Sequence, residues 1–236
     1  MPTPRVGLSL LACAMLVALA CTESGAAPRA RPDLASRLAS IRTVGLIAPE
    51  IRIYEFSAGG VREQRDEWSA AGKENVVQGI LGAFREKDFA VKPIAVDEGR
   101  KEEIEDIKAL YRAVVRSILV HSQGPNAFPP EYRRFDYTLG NIDTFVDAFG
   151  VDALLFAYGV DEVSTGGRKT LAVLGLIGGV VLRPGFSVLG VGLVDRSGEI
   201  LWYNSDASAG GRDLRNPESA STFTRELLSA FPAVAR

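Results

Sequence analysis

The sequence predicts one α/β domain, built as a mixed β-sheet covered by helices, with a C-terminal β-hairpin followed by a helix. Two patterns predict this class. Short apolar runs alternate with longer segments whose apolar residues recur every three or four positions, which is typical of strands alternating with helices. Later, two apolar runs flank the turn sequence Asp195–Gly198, which is typical of a hairpin. With 47% hydrophobic residues in 236, the chain is long enough to bury a core.

The first half of the chain predicts strands and long helices in turn. The apolar run 44–48 predicts a buried strand, and a second extended piece follows it. Apolar residues at every fourth position predict a helix over roughly 63–87. Residues 89–96 return as a strand, and Pro93 within it indicates a sheet edge or a bulge. Residues 98–121 predict a helix that is acidic at its start and basic at its end, an order that suits the helix dipole.

The second half predicts a short helix, the central strand, the hairpin and a closing helix. Residues 142–149 predict the short helix, which Gly150 ends. The run 151–160 is uncharged over most of its length, so we place it as a strand at the centre of the sheet. The closing helix is predicted to start at Pro217, with Asn216 as its N-cap.

The N-terminus carries the pattern of an export signal. Arg5 precedes an apolar stretch shorter than the roughly 20 residues that span a bilayer as a helix. The residues Val-Ala-Leu-Ala-Cys at 17–21 resemble the lipobox of bacterial lipoproteins, although Ala18 stands where that family prefers leucine. The resemblance implies cleavage before Cys21, which then receives a thioether-linked diacylglycerol and an amide-linked acyl chain such as palmitate. The alternative is an ordinary signal peptide.

These observations divide the chain into three predicted parts. They are a cleaved signal peptide (1–20), a lipidated N-terminus with a flexible tether (21–40) and a periplasmic α/β domain (41–236). Cys13 is removed with the signal, so Cys21 is left alone and no disulfide can form. Two or three acyl chains anchor a protein firmly. By the sorting pattern of many such lipoproteins, Thr22 after the cysteine indicates the outer membrane, with the domain on its periplasmic face.

Charge and residue usage argue against several function classes. The chain has 27 basic and 29 acidic residues and no basic block, so we predict no nucleic-acid partner. Lys169 and Thr170 follow glycines, but Arg168 and Val163 occupy the two positions where a phosphate-binding loop needs glycine. We therefore predict no nucleotide. His121 is the only histidine, so we also predict no metal, no cofactor and no enzymatic activity. The enzymatic alternative is a cell-wall-acting hydrolase with two converging carboxylates.

The stretch 150–206 carries a resemblance in its motifs. A strand with Asp152–Leu155 precedes a strand that ends in Val194–Asp195, and a turn with Gly198 leads into Ile200–Trp202. This order resembles the periplasmic domain shared by the curli-secretion channel lipoproteins and the penicillin-binding-protein activator lipoproteins. The resemblance implies an envelope-tethered accessory that binds or assembles other proteins. An oligomeric pore or secretion-channel component is the alternative function.

The segment between the two strands is the candidate interaction site. In the curli channel family this place carries an insertion that joins the membrane pore. Here we interpret the two leading glycines as ending the strand and starting a new element. The uncharged run 171–182 is predicted as a short core helix, with a surface for self-association or membrane contact as the alternative. The candidate residues are Gly166, Gly167, Arg168, Lys169, Leu171, Leu174, Ile177 and Val181. The predicted partners are the membrane, through the N-terminal lipid, and an envelope protein, with a homo-oligomer as a further option.

Overall fold

In a computed structural model of the chain, the structure describes residues 27–95, 98–123, 129, 134–167, 170, 185–209 and 212–233. Within them, a mixed β-sheet lies between two layers of helices, which confirms the predicted fold class. Several predictions lie outside the described residues. They concern Cys21, Arg168, Lys169, Leu171, Leu174, Ile177 and Val181.

The described part contains eight strands and five α-helices. The strands are β1 (Arg29–Ala30), β2 (Thr43–Leu46), β3 (Glu50–Phe56), β4 (Arg62–Gln64), β5 (Ala90–Pro93), β6 (Ala153–Ser164), β7 (Ser187–Asp195) and β8 (Ile200–Ser208). The helices are α1 (Leu34–Leu38), α2 (Asp66–Arg85), α3 (Lys101–Ile118), α4 (Asp143–Phe149) and α5 (Pro217–Ser229). A 3₁₀ turn over Glu98–Arg100 precedes α3, and a π-helical turn over Leu119–Gln123 extends it.

The sheet is organised around β6, its longest strand, as the sequence predicts. The first residues of β6 pair in parallel with β2, and its later residues pair in parallel with β3. On its other side β6 pairs antiparallel with β7, and the hairpin partner β8 then leads to β1. The strand β5 lies at the opposite edge, beside β2, which agrees with the edge position that Pro93 indicates.

Each face of the sheet has its own hydrophobic core. Helices α2 and α5, with α1, cover one face, where Phe84, Trp202 and Phe223 are buried. Helices α3 and α4 cover the other face, where Tyr111 and Tyr203 are buried. The neighbours Trp202 and Tyr203 enter different cores because successive side chains of a strand point to opposite faces. Burial on both sides explains why β6 lacks charges over most of its length.

Two helix ends form as predicted. Gly150 takes the left-handed conformation, with φ of 58°, at the C-terminus of α4. At the start of α5, the Asn216 side chain accepts a hydrogen bond of 3.0 Å from the backbone N–H of Ser219, and Pro217 is the first helical residue. Both helices therefore begin or end where local chemistry favours it.

The structure differs from the sequence prediction in its shortest elements. The strand β4 occupies the start of the helix predicted over 63–87, so α2 begins only at Asp66. The segment assigned to the tether, 21–40, contains β1 and α1, and Leu34 and Leu38 of α1 are buried. Strands of two or three residues are too short to show a periodic pattern, which is why the sequence does not predict them.

Candidate functional site

The candidate site is a groove between α3 and the sheet. Its helical wall is formed by the last turns of α3 and the π-helical turn, and its floor by β3 and β6. The lining residues are Glu50, Arg52, Arg112, Val115, Arg116, Leu119, Tyr158, Gly159 and Val160. The surface that they present is mostly apolar, and the groove holds about 250 Å³. Small-molecule sites usually hold about 300 to 1,000 Å³, so the volume of this groove lies just below the range of such sites.

The helical lip of the groove exposes apolar surface. The exposed fraction is 36% for Leu119 and 47% for Val120, two of the four large apolar residues that are exposed in the described part of the chain. Both lie in the π-helical turn that extends α3. Leu119 is therefore accessible at the groove itself, and apolar surface of this kind beside a concavity is typical of a contact site.

The charge around the groove is predominantly positive. Glu50 forms ion pairs with Arg112 and, at 3.3 Å, with Lys108. Burial alone would raise the pKa of Glu50, but the hydrogen bond from Arg112 and the charge of Lys108 outweigh it, so this pKa lies below its ordinary value. Arg52 and Arg116 form no ion pair with any other described residue. The groove therefore combines an apolar lining with two arginines available to an acidic partner.

Three tyrosines form a packed layer that reaches the groove through Tyr158, one of its lining residues. The Tyr158 and Tyr203 hydroxyls form a hydrogen bond with each other, and the Tyr111 ring stacks on Phe156 at a centroid distance of 4.3 Å. Tyr111 and Tyr203 are buried, and burial raises the pKa of both phenols. Glycine makes room for Tyr111, since a Cβ atom on Gly192 would lie 2.3 Å from its hydroxyl. These tyrosines stay neutral and form a packed floor.

The Tyr111 hydroxyl gives a test of this floor. It is buried and has no hydrogen-bond partner among the described residues, so it bears a desolvation cost without a compensating bond. We expect Tyr111→Phe to leave the free energy of unfolding unchanged or to raise it by up to about 1 kcal/mol. Tyr203→Phe, the matched control, removes the bond to Tyr158 and should lower it by about 1 kcal/mol. Urea unfolding followed by tryptophan fluorescence measures both, and a clear loss for Tyr111→Phe would contradict the assignment.

A larger concavity of about 480 Å³ lies between the β1 segment and residues 134–136. Its lining combines three arginines with one acid and four other residues, namely Arg29, Arg31, Arg134, Asp136, Pro28, Ala30, Pro32 and Phe135. It adjoins residues 130–133, which lie outside the described part of the chain.

The two described glycines of the candidate interaction segment lie beyond the end of β6. Gly166 and Gly167 form a helical turn, in which the Thr170 hydroxyl donates a hydrogen bond of 3.1 Å to the Gly166 carbonyl. A Cβ atom on Gly167 would lie 3.8 Å from Ala58, in the turn between β3 and β4. Gly166 and Gly167 are not among the residues that line the groove. The sequence analysis does not predict the groove.

The two tryptophans and Tyr203 do not form one exposed surface on which a ligand ring could stack. Trp202 and Tyr203 are buried in different cores, whereas Trp68 lies partly buried on α2 with the Arg215 guanidinium 4.3 Å from its ring centre. His121 lies in the π-helical turn. One sequence signal for the groove existed, because Glu50 and Arg52 alternate with the apolar Ile51 and Ile53 along β3.

Two further properties concern metals and membranes. Among the described residues, no group of three or more histidine, cysteine, aspartate or glutamate side chains is arranged to hold a metal ion. In the same residues, no helix has both the length and the hydrophobicity that crossing a bilayer requires.

Comparisons with known proteins identify no family. No family model matches the chain, and no curated protein matches it. Among solved structures, the chain is similar to the PelC dodecamer from Paraburkholderia phytofirmans at 14% identity and a TM-score of 0.38, covering 89% of this chain and 97% of that one. A point variant of the same dodecamer gives 12% identity, a TM-score of 0.39 and the same coverage. Neither likeness is close enough to assign a family or a function.

Proposed function

We propose that this chain is an outer-membrane-anchored periplasmic lipoprotein that acts without catalysis, as a binding or assembly factor of the cell envelope. The observation that carries the binding role is the apolar groove beside α3, with exposed Leu119 at its lip. At its border lie Arg52 and Arg116, which form no ion pair with another described residue. Contact sites typically combine a small apolar centre with a charged border. The partner is a protein segment that combines apolar and acidic side chains.

The anchor is proposed from the sequence, on Cys21 and the lipobox-like residues before it. The direction of β1 supports a membrane-proximal groove. Because β1 runs antiparallel to β8, the chain enters β1 from the end of the sheet where β6 ends and β7 begins. The groove residues of β6, Tyr158 to Val160, also lie in that half of the strand. A fully extended chain from Cys21 to Arg29 spans at most about 27 Å. This length limits the distance between the proposed lipid anchor and β1.

Site-specific photo-crosslinking in living bacteria tests this function. A photoreactive amino acid replaces Leu119 in the full-length protein, and the matched control carries it at Lys73, which is exposed on α2 at the opposite face. We expect one discrete adduct, of a mass that a second copy cannot explain, from position 119 only. Arg52→Glu should remove this adduct, because it reverses a charge of the groove.

Fractionation of the same cells tests the anchor independently. Cys21→Ser should move the protein from the membrane fraction to the soluble fraction, because the acyl chains cannot be attached. Equal adducts from both positions, or an adduct that persists with Arg52→Glu, would contradict the binding role. Unchanged membrane partitioning of the Cys21→Ser protein would contradict the anchor and leave the groove as a separate question.

A further inference from the structure

The outward face of α3 has charges of both signs in a symmetric order. The buried face of this helix carries Ile104, Ile107, Tyr111, Val115 and Ile118. The opposite face carries three acids in its first half, an alanine in the middle and two bases in its second half. One of the acids, Glu105, forms an ion pair with Lys108 of the same helix. The other residues are Glu102, Asp106, Ala109, Arg112 and Arg116, and all five are exposed.

The positions of these charges are related by a two-fold axis through Ala109. Glu102 and Arg116 are both seven residues from Ala109, and Asp106 and Arg112 are both three residues from it. When an antiparallel copy of the helix is placed against this face, Glu102 and Asp106 therefore each lie opposite a base of the other copy, and Glu105 lies opposite Ala113. An interface related by two-fold symmetry needs such self-complementarity, because the same patch contributes both sides.

We propose that α3 pairs with α3 of a second copy, antiparallel and about a two-fold axis at Ala109. The favourable interaction of acids near a helix N-terminus and bases near its C-terminus accounts for the order of the charges, but it does not require that they be equidistant from one alanine. A small side chain at the axis lets the two helix backbones approach closely. Leu110, next to the axis and 50% exposed, lies at the border of the paired face.

Three of the four charges that this pairing uses have no ion-pair partner within the described part of the chain, and the fourth is already in an ion pair. Glu102, Asp106 and Arg116 form no ion pair with another described residue, and Arg112 is held in place by Glu50. The predicted contact is largely electrostatic and exposed. It should therefore weaken as ionic strength rises, because salt screens the attraction between exposed charges, with a Debye length of about 10 Å at 0.1 M. A lipid anchor would favour pairing by confining both copies to one surface.

Disulfide trapping of the full chain in intact cells tests the pairing. Two cysteines at the axis come within bonding distance, so Ala109→Cys should give a covalent dimer after brief treatment with a membrane-permeant oxidant. The parent chain gives the baseline, and Lys73→Cys on α2 is the matched exposed control. Glu102→Arg or Arg116→Glu, each added to Ala109→Cys, should lower the dimer yield about tenfold, since two attractions become repulsions.

Restoring the charge pairs with a second reversal distinguishes a loss of pairing from a folding defect. The chain that carries both charge reversals should dimerise like the parent, because every opposing pair is restored with its signs exchanged. Coexpressed single variants should form mixed dimers, whereas each alone forms few. No rescue in either arrangement, or equal trapping through Lys73→Cys, would overturn the proposal. The groove is tested by Arg52, which lies outside α3, so either proposal can fail while the other stands.

Discussion

Replacing Gly198 with alanine is expected to lower the free energy of unfolding by about 4 kcal/mol or more. Gly198 closes the turn between β7 and β8 with a φ of 83°, a conformation that L side chains rarely adopt. A Cβ atom there would lie 1.7 Å from the Gly140 carbonyl oxygen. Two backbone segments would have to separate, and they are joined by the hydrogen bond from the Leu139 N–H to the Gly198 carbonyl, at 2.7 Å.

Gly140→Ala is the matched control for this prediction. Gly140 has nearly the same φ, 81°, but a Cβ atom there would meet nothing within 4 Å. We expect it to cost only about 1 kcal/mol, which is the strain of the left-handed conformation. Chemical unfolding of both variants gives the comparison. Equal losses would show that conformational strain, and not the contact with Gly140, explains the requirement for glycine at 198.

The sequence predicts the elements that repeat a pattern over several turns or residues. Helix α3 and the strand β6 are predicted because each buries a long regular stripe or a fully apolar run. The ends of α4 and α5 are predicted because Gly150 and Asn216 act locally. The two-residue strand β1 is not predicted, because its existence depends on the free edge of β8, which is distant in sequence.

The groove could not be predicted, because it is formed by residues from three distant segments. Arg52 and Tyr158 lie on adjacent parallel strands whose register places Glu50 beside Tyr158. Arg116 reaches the same place because α3 packs through its buried stripe on that half of the sheet. The alternation along β3 and the position of Arg116 on an amphipathic helix indicate that Arg52 and Arg116 are exposed, but exposure alone does not indicate what an arginine faces.

The groove and the outward face of α3 are neighbouring parts of one surface. Arg112 and Arg116 border both, and Glu50 holds Arg112 between them. If α3 pairs with a second copy, acids of that copy add to the surroundings of the groove. A partner would then compete with, or be oriented by, the second copy. The crosslinking and trapping experiments can be combined in one chain to distinguish these effects.

Replacing Asp161 with alanine is the second change with a large expected effect. This carboxylate is 1% exposed and lies on the face of the sheet covered by α2 and α5. It accepts hydrogen bonds from the Ser187 hydroxyl at 2.7 Å and from the Leu214 N–H at 2.9 Å, which fixes the segment before α5. Alanine leaves the Leu214 N–H without this acceptor and leaves the Ser187 hydroxyl with only the Arg212 carbonyl, at 3.2 Å, so we expect a loss of about 1 to 3 kcal/mol. Asp147→Ala, which removes an exposed ion pair with Arg196, should change the free energy by less than about 0.5 kcal/mol.

The pH dependence of Asp161→Asn tests the same site through its charge. Burial raises the pKa of Asp161, although the hydrogen bonds from Leu214 and Ser187 oppose this. Since the pKa in the folded state exceeds that in the unfolded state, the contribution of this group is full below the unfolded-state pKa and is lost as pH rises through the folded-state pKa. The asparagine variant does not titrate there. The free energy of unfolding of the parent minus that of the variant should therefore grow as pH falls from 7 towards 4. The contributions of the other acidic residues are the same in both proteins and cancel in this difference. A difference that is constant with pH would show that the pKa of Asp161 does not change on folding, and one that shrinks as pH falls would show that the charged form is stabilised; either result contradicts the prediction.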